Sequence, residues 1–287
     1  MGEFGAKRKF ATAAFNVLEL MVVVVVLAGL IVLVDVKRVK SQRAARILQC
    51  ISNLKQLGVG MSLYEQAEDN RLPFAFIKYT EGDGSISWDS LIYPYASGES
   101  YGAPIPPSMS PDRLLRCPSD TIPADAINRK TGLTQSYIRR TYAMPRHSMT
   151  PDNWPPGPKN STGVGLWWSD GKNQLAALDN LESINGEIPA VRLGIIFAPS
   201  RTLLLTEQAQ TNNHAFSYVG ATIRNPSDHL DTTALKMSAY HQGRFNYLMV
   251  DGHVETLFPV ETVGKIANSP GNITNKLGNI WTINPDD

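Results

Sequence analysis

The start of the chain is written in two periodicities. Phe15 to Val34 reads FNVLELMVVVVVLAGLIVLV, apolar at nearly every position and interrupted by one acid, Glu19. From Ile47 onward the apolar residues thin to a stripe. Ile47, Cys50, Ile51, Leu54, Leu57, Met61 and Tyr64 recur at steps of three and four, the spacing of one face of an amphipathic helix. Lys55, Gln56, Glu65 and Gln66 are read onto its other faces, and Asp69-Asn70-Arg71-Leu72-Pro73 supplies the stop. One helix from Phe15 to about Ala67 is predicted, roughly 80 Å long at 1.5 Å per residue. Gly58 and Gly60 each weaken its outer half by up to about 1 kcal/mol against Ala, which implies close packing or a bend there.

Beyond residue 68 the pattern changes to short β-rich runs separated by Pro, Gly and Asn. LLRCPSD, Leu114 to Asp120, reads as a short apolar strand entering a turn, and SYIRRTYAM, Ser136 to Met144, alternates. FAPSRTLLLTE, Phe197 to Glu207, has a Pro-Ser turn feeding a buried β-run that ends in an acid. In HQGRFNYLMVDGHVETLF, Arg244 to Val250 and His253 to Phe258 flank Asp251-Gly252. That pair suits a type I′ hairpin turn with positive φ at both positions. Residues Ile266 to Asp287 are read as a tail wrapping the head. The expected fold class is α+β, a long N-terminal helix packed on a mainly antiparallel β-sheet head with long loops.

Composition narrows function mostly by exclusion. Charged residues are 18% of the 287 and the net charge is +1, so no basic surface points to nucleic acid, and no nucleic-acid partner is expected. Cys50 and Cys117 are too few for a disulfide scaffold. One bridge between them would close a long loop, and two separate buried thiols are the alternative. His241, Asp251 and His253 include types that ligate transition metals. The turn already accounts for Asp251, however, and His241 is expected to hydrogen-bond the hairpin backbone. No Asp-x-Asp spacing marks calcium, no Gly-x-Ser-x-Gly marks a hydrolase, and no Gly-rich phosphate loop follows a strand. The reading is therefore no enzyme, no metal and no cofactor. Trp167-Trp168 suggests either a sugar-binding platform or, more simply, core.

Glu19 is the position that plain readings fail to explain. A basic patch, Lys7-Arg8-Lys9, precedes the apolar run as in a secretory signal, but Asp35-Val36-Lys37-Arg38 follows it in place of a small-residue cleavage site. The run is about long enough to cross a bilayer, which takes roughly 20 residues. An acid at the bilayer centre costs on the order of 3 kcal/mol. A cut between Ala14 and Phe15 would give Glu19 a partner, because the new α-amino group would lie one helical turn away.

Phe15, Glu19 and the Leu/Val run resemble the processing motif of type IV prepilins and type II secretion pseudopilins. The resemblance implies that a prepilin peptidase removes residues 1–14 and methylates Phe15. It also implies that Glu19 then guides docking of copies into a filament. Ala14 stands where that family has Gly, and Asn16 where it usually has Thr. CISNLKQLGVGMSLYEQAEDNRLP, the Cys-Pro-Ser-Asp segment at Cys117 and the pattern His241, nine residues, Asp251-Gly252 resemble a bacterial subfamily of such proteins. The division implied is a leader at 1–14, a transmembrane or filament-core helix at 15–36, its amphipathic continuation at 37–67 and a pilin-like head at 68–287.

Function is then expected to be assembly, as a subunit of a type IV pilus-like or pseudopilus-like filament. The partners implied are further copies, the inner membrane before assembly, the peptidase and the assembly or secretion machinery. The alternative is a membrane-anchored extracytoplasmic module that binds carbohydrate or protein without polymerising. Lys37, Arg38, Lys40, Arg43 and Arg46 outnumber the basic residues before the run. By charge alone they would hold the head in the cytoplasm, whereas the resemblance places it outside the inner membrane.

Overall fold

The computed structural model describes residues 16–78, 85–98, 111–122, 125–127, 134–146, 163–169, 191–208, 213–217, 220–223, 241–263, 265–266, 269–270 and 279–283. Among the described residues the α-helices are α1 Val17–Ala67, α2 Trp88–Ser97 and α3 Pro111–Leu114. The strands are β1 Phe76–Lys78, β2 Ser85–Ser87, β3 Asp125–Ile127, β4 Thr134–Ser136, β5 Tyr142–Pro145 and β6 Trp167–Ser169. They continue with β7 Leu203–Glu207, β8 Thr222–Ile223, β9 Phe245–Met249, β10 Val254–Leu257, β11 Lys265–Ile266 and β12 Ser269–Pro270. The chain divides into two units, Met1–Ala45 and Arg46–Asp287.

In the first unit Asn16 stands at the start of α1 and Glu19 reaches back to it. The Asn16 carbonyl accepts from Leu20 N at 3.1 Å, and its Oδ1 accepts from Leu18 N at 3.5 Å. The Asn16 N–H donates to Glu19 Oε2 at 3.1 Å. Asn16 thus offers its side-chain oxygen to one of the donors that a helix start leaves open, a role its sequence position alone did not suggest. The large apolar side chains from Val17 to Ile31 are 45% to 72% exposed. Among the described residues no helix is long and apolar enough to cross a membrane. The apolar side chains described, Val17 to Ile31, span about 22 Å at 1.5 Å per residue.

The second unit is built on a five-stranded sheet in the order β10-β9-β7-β5-β8, antiparallel except where β8 joins β5. A smaller sheet, β2-β1-β6, stands apart from it in strand pairing. The predicted stripe of α1 holds: Cys50, Leu54, Leu57 and Met61 are fully buried, in one cluster with Leu205 and Leu248. Each such side chain contributes about 1.5–3 kcal/mol by leaving water. The opposite face of the sheet is also covered. Phe245, Tyr247 and Met249 of β9 pack with Ala143, Leu203, Ile280 and Trp281, so the 279–283 part of the tail does close over the head.

Four local expectations are corrected. Glu65 is buried rather than facing solvent, since it follows Met61 by four and Leu57 by eight on the inward stripe. Leu114 ends a single helical turn, with Leu114 and Leu115 buried, where a strand was expected. The run from Ser136 to Met144 is split between β4 and β5, and adjacent Arg139 and Arg140 are both buried, which breaks the alternation. At the hairpin, Met249 N donates to the His253 carbonyl at 2.9 Å and Gly252 N to the Met249 carbonyl at 2.9 Å. The loop therefore has three residues, Val250 to Gly252, and only Gly252 takes positive φ, +88°. A three-residue loop needs one left-handed position, not the two of a type I′ turn.

Candidate functional site

The Cys50–Cys117 bridge is formed, with Cα atoms 5.0 Å apart across 67 residues of sequence. The resembling motif explains how the two sulfurs meet. Cys50 lies on the inward stripe of α1, and Asn53 is one turn further along. Asn53 Nδ2 donates to the carbonyls of Arg113 at 2.7 Å and Arg116 at 3.1 Å. It thereby fixes the turn that presents Cys117. On the other side, Cys117 N donates to Thr141 Oγ1 at 3.0 Å, and Thr141 Oγ1 donates to Asp120 Oδ2 at 2.7 Å. Arg139 Nε reaches the same Asp120 oxygen at 2.8 Å. Asp120 of the Cys-Pro-Ser-Asp segment is thus a buried anchor of the turn.

The His241 carbonyl accepts from Arg244 N at 3.4 Å, at the start of the hairpin, while its ring meets other partners. Its Nε2 lies 2.9 Å from Glu207 Oε1 and 3.5 Å from Cys117 Sγ. Glu207, at the end of β7, also accepts from Asn246 N at 2.8 Å and Asn246 Nδ2 at 3.2 Å. The imidazole and carboxylate are fully sealed from solvent. The two Asn246 donors on this carboxyl group offset part of the cost of burying it. Nearby, Tyr247 has its phenol pushed well above its ordinary value of 10.0, first by burial and then by the charges of Glu207 and Glu261. His241 and Gln242 hold left-handed backbone, φ +33° and +63°, a conformation that costs non-glycine residues energy and clusters at functional positions.

Sequence reasoning singled out His241 but missed Glu207 as its partner; the acid ending the buried run at 203–207 was the available signal. Cys50, Cys117, His241 and Glu207 offer ligand atoms all within 4.8 Å of one another. Asp251 and Gly252 lie away at the hairpin tip. There Asp251 Oδ1 accepts from His253 N at 3.1 Å, and His253 Nδ1 lies 2.6 Å from the same oxygen, so His253 serves the turn. Ala14 and Phe15 lie outside the described residues. Trp167 is core, stacked on Phe76 at 5.6 Å with Arg146 over its ring at 3.5 Å.

A second polar network is structural. Arg140 and Asp89 form a fully buried pair, with Arg140 Nε also donating to Asn213 Oδ1 at 2.8 Å. Burial lowers the Arg140 pKa and Asp89 opposes that. His214 stacks on Tyr137 at 4.3 Å. Burial, then the charges of Arg139 and Arg140, hold its pKa below 6.5.

The disulfide belongs to an oxidising compartment and so indicates an extracytoplasmic head. No curated protein and no solved structure matches the chain. Residues 40–171, which include Cys50, Asn53 and Cys117 but stop short of Glu207 and His241, match the family model described as Protein of unknown function (DUF1559).

Proposed function

We propose that the protein is a prepilin-like subunit of a pilus-like or pseudopilus-like filament, cut before Phe15 and assembled through the first part of α1. The observation that carries this reading is the state of that helix. Its side chains from Val17 to Ile31 are apolar and exposed, and its only acid there, Glu19, stands in the first turn on a backbone N–H. Such a surface calls for lipid or other copies around it. A carboxylate at a helix start is already favoured by the helix dipole and can exchange its N–H donor for the stronger ammonium of a processed neighbour. In sequence the apolar run continues to Val34, which brings it to bilayer length. The bridge supports an extracytoplasmic head, against the charge count flanking the run. Trp167 is buried and stacked on Phe76, which favours the simpler reading of that residue as core.

The test has two parts. Amino-terminal sequencing of purified protein should begin at methylated Phe15, and electron microscopy of sheared cell surfaces should show filaments containing it. Glu19→Ala should abolish the filaments while leaving membrane-bound, disulfide-bonded protein at normal levels. A chain that keeps Met1 and stays monomeric in membranes would refute the proposal.

A further inference from the structure

A disulfide requires neither a histidine nor a carboxylate beside it, yet this one has both, sealed against its sulfurs. We propose that Cys50, Cys117, His241 and Glu207 form a zinc site when the bridge is reduced, so that metal and disulfide are alternative clasps on the same two cysteines. This does not rest on the filament reading.

The geometry is close to what tetrahedral zinc needs. With bonds of about 2.3 Å to sulfur and about 2.0–2.1 Å to nitrogen or oxygen, ligand edges are about 3.6 Å for S···N and 3.4 Å for N···O. Cys117 Sγ to His241 Nε2 is already 3.5 Å, and His241 Nε2 to Glu207 Oε1 is 2.9 Å, so that edge opens by about half an ångström. The sulfurs, once unbonded, separate to about 3.8 Å around the ion. The four ligands come from four places in the second unit: α1, the turn after α3, the end of β7 and the corner before β9.

An outer shell is also present. Ser119 N donates to Cys117 Sγ at 3.4 Å, and Asn246 donates twice to Glu207. Such contacts orient ligands and support negative charge on them. Two thiolates and one carboxylate total three negative charges. A dication leaves one uncompensated in this sealed site and a monocation leaves two, which favours zinc over copper(I). His241 and Gln242 take left-handed backbone at the corner where the imidazole meets Cys117 Sγ.

The chemistry balances with a phosphine as reductant. The phosphine attacks one sulfur and breaks the S–S bond, releasing a thiolate. Water then hydrolyses the thiophosphonium: its oxygen leaves in the phosphine oxide, and its two hydrogens become the two thiol protons. Zinc binding displaces both protons to solvent.

The full chain in detergent micelles, reduced by phosphine during mild unfolding and refolded, is titrated with cobalt(II) and then with zinc. One equivalent of cobalt should produce a thiolate charge-transfer band and tetrahedral d–d bands that one equivalent of zinc erases. Oxidised protein should show neither. Glu207→Gln and His241→Ala should each weaken zinc by more than the 10–100-fold typical of losing an outer-shell partner. If neither variant folds, zinc-edge X-ray absorption of the wild type decides: two sulfur and two nitrogen or oxygen ligands support the site, and any other set overturns it. Reduced protein that binds no stoichiometric metal, or variants that bind as the wild type does, likewise overturn it.

Discussion

Replacing both bridge cysteines by alanine tests what the Cys50–Cys117 link does for the head. The bridge spans 67 residues, and a closed loop of that size restricts the unfolded chain by about 4 kcal/mol in the entropy model. The folded turn should survive the change. Asn53 still holds the carbonyls of Arg113 and Arg116, and Cys117 N still has Thr141, each bond worth about 1 kcal/mol net. The loss therefore falls chiefly on the unfolded side of the equilibrium. Urea unfolding of the detergent-solubilised chain, followed by fluorescence of buried Trp88 and Trp281, should show about 4 kcal/mol less stability. For a unit of this size each kcal/mol moves Tm by about 2–4 °C, so the midpoint should fall by roughly 8–16 °C. A loss below about 1.5 kcal/mol would refute the entropic argument and make Asn53 the principal clasp.

Two further outcomes follow from packing and burial. A Cβ on Gly60 would lie 2.7 Å from Ala96 Cβ and 3.1 Å from Ala96 N, whereas one on Gly58 would meet only the Leu248 side chain, at 3.2 Å. Gly60→Ala should force α1 from α2 and cost about 1–2 kcal/mol after its helix-propensity gain, and Gly58→Ala should be near neutral. Equal denaturation midpoints for the two variants would contradict this. Burial pushes the Glu65 carboxyl from 4.5 up to about 7. Because the folded value is the higher one, the Glu65 contribution to stability is fully present below about 4.5, is lost as pH rises to about 7, and is constant above. With allowance for solvent screening the decline is about 1–2 kcal/mol. Glu65→Gln should remove it and stabilise the protein at pH 8, as urea midpoints at pH 5 and 8 would register.

The parts of this fold that were legible in sequence are those fixed by local periodicity. The inward stripe of α1 from Cys50 to Met61 follows from 3.6-residue spacing, and the buried run at 203–207 follows from its composition. Glu65 reads as solvent-facing from its charge, yet its spacing from Leu57 and Met61 puts it inside. The buried Arg139 and Arg140 were invisible for a different reason. Their partners, Asp120 and Asp89, lie 19 and 51 residues away, and no local pattern signals such pairings. Glu207 and His241 are likewise brought together only by β7 pairing with β9. The cysteine bridge could be posed as a question but not answered, since the approach of the two Cα atoms depends on Asn53 holding a turn 60 residues away.

The spacing between His241 and Asp251-Gly252 acquires a physical meaning from the strand between them. Glu207 accepts from Asn246, and Thr206 pairs with Tyr247, so β9 begins beside the bridge. Met249 closes the hairpin loop at the other end. His241 is thus tied to the buried sulfurs and Gly252 to the turn, and the residues between them measure the length of one strand. Both faces of that strand are committed: Leu248 packs with the α1 cluster, while Phe245, Tyr247 and Met249 pack beneath the tail with Trp281. Adding or removing one residue would exchange the two faces. Leu248 would leave the groove at Gly58, and Asn246 would no longer present its amides to Glu207. The spacing is therefore dictated by a sheet buried on both sides and pinned at both ends, and a shared catalytic role for His241 and Asp251 is not needed to explain it.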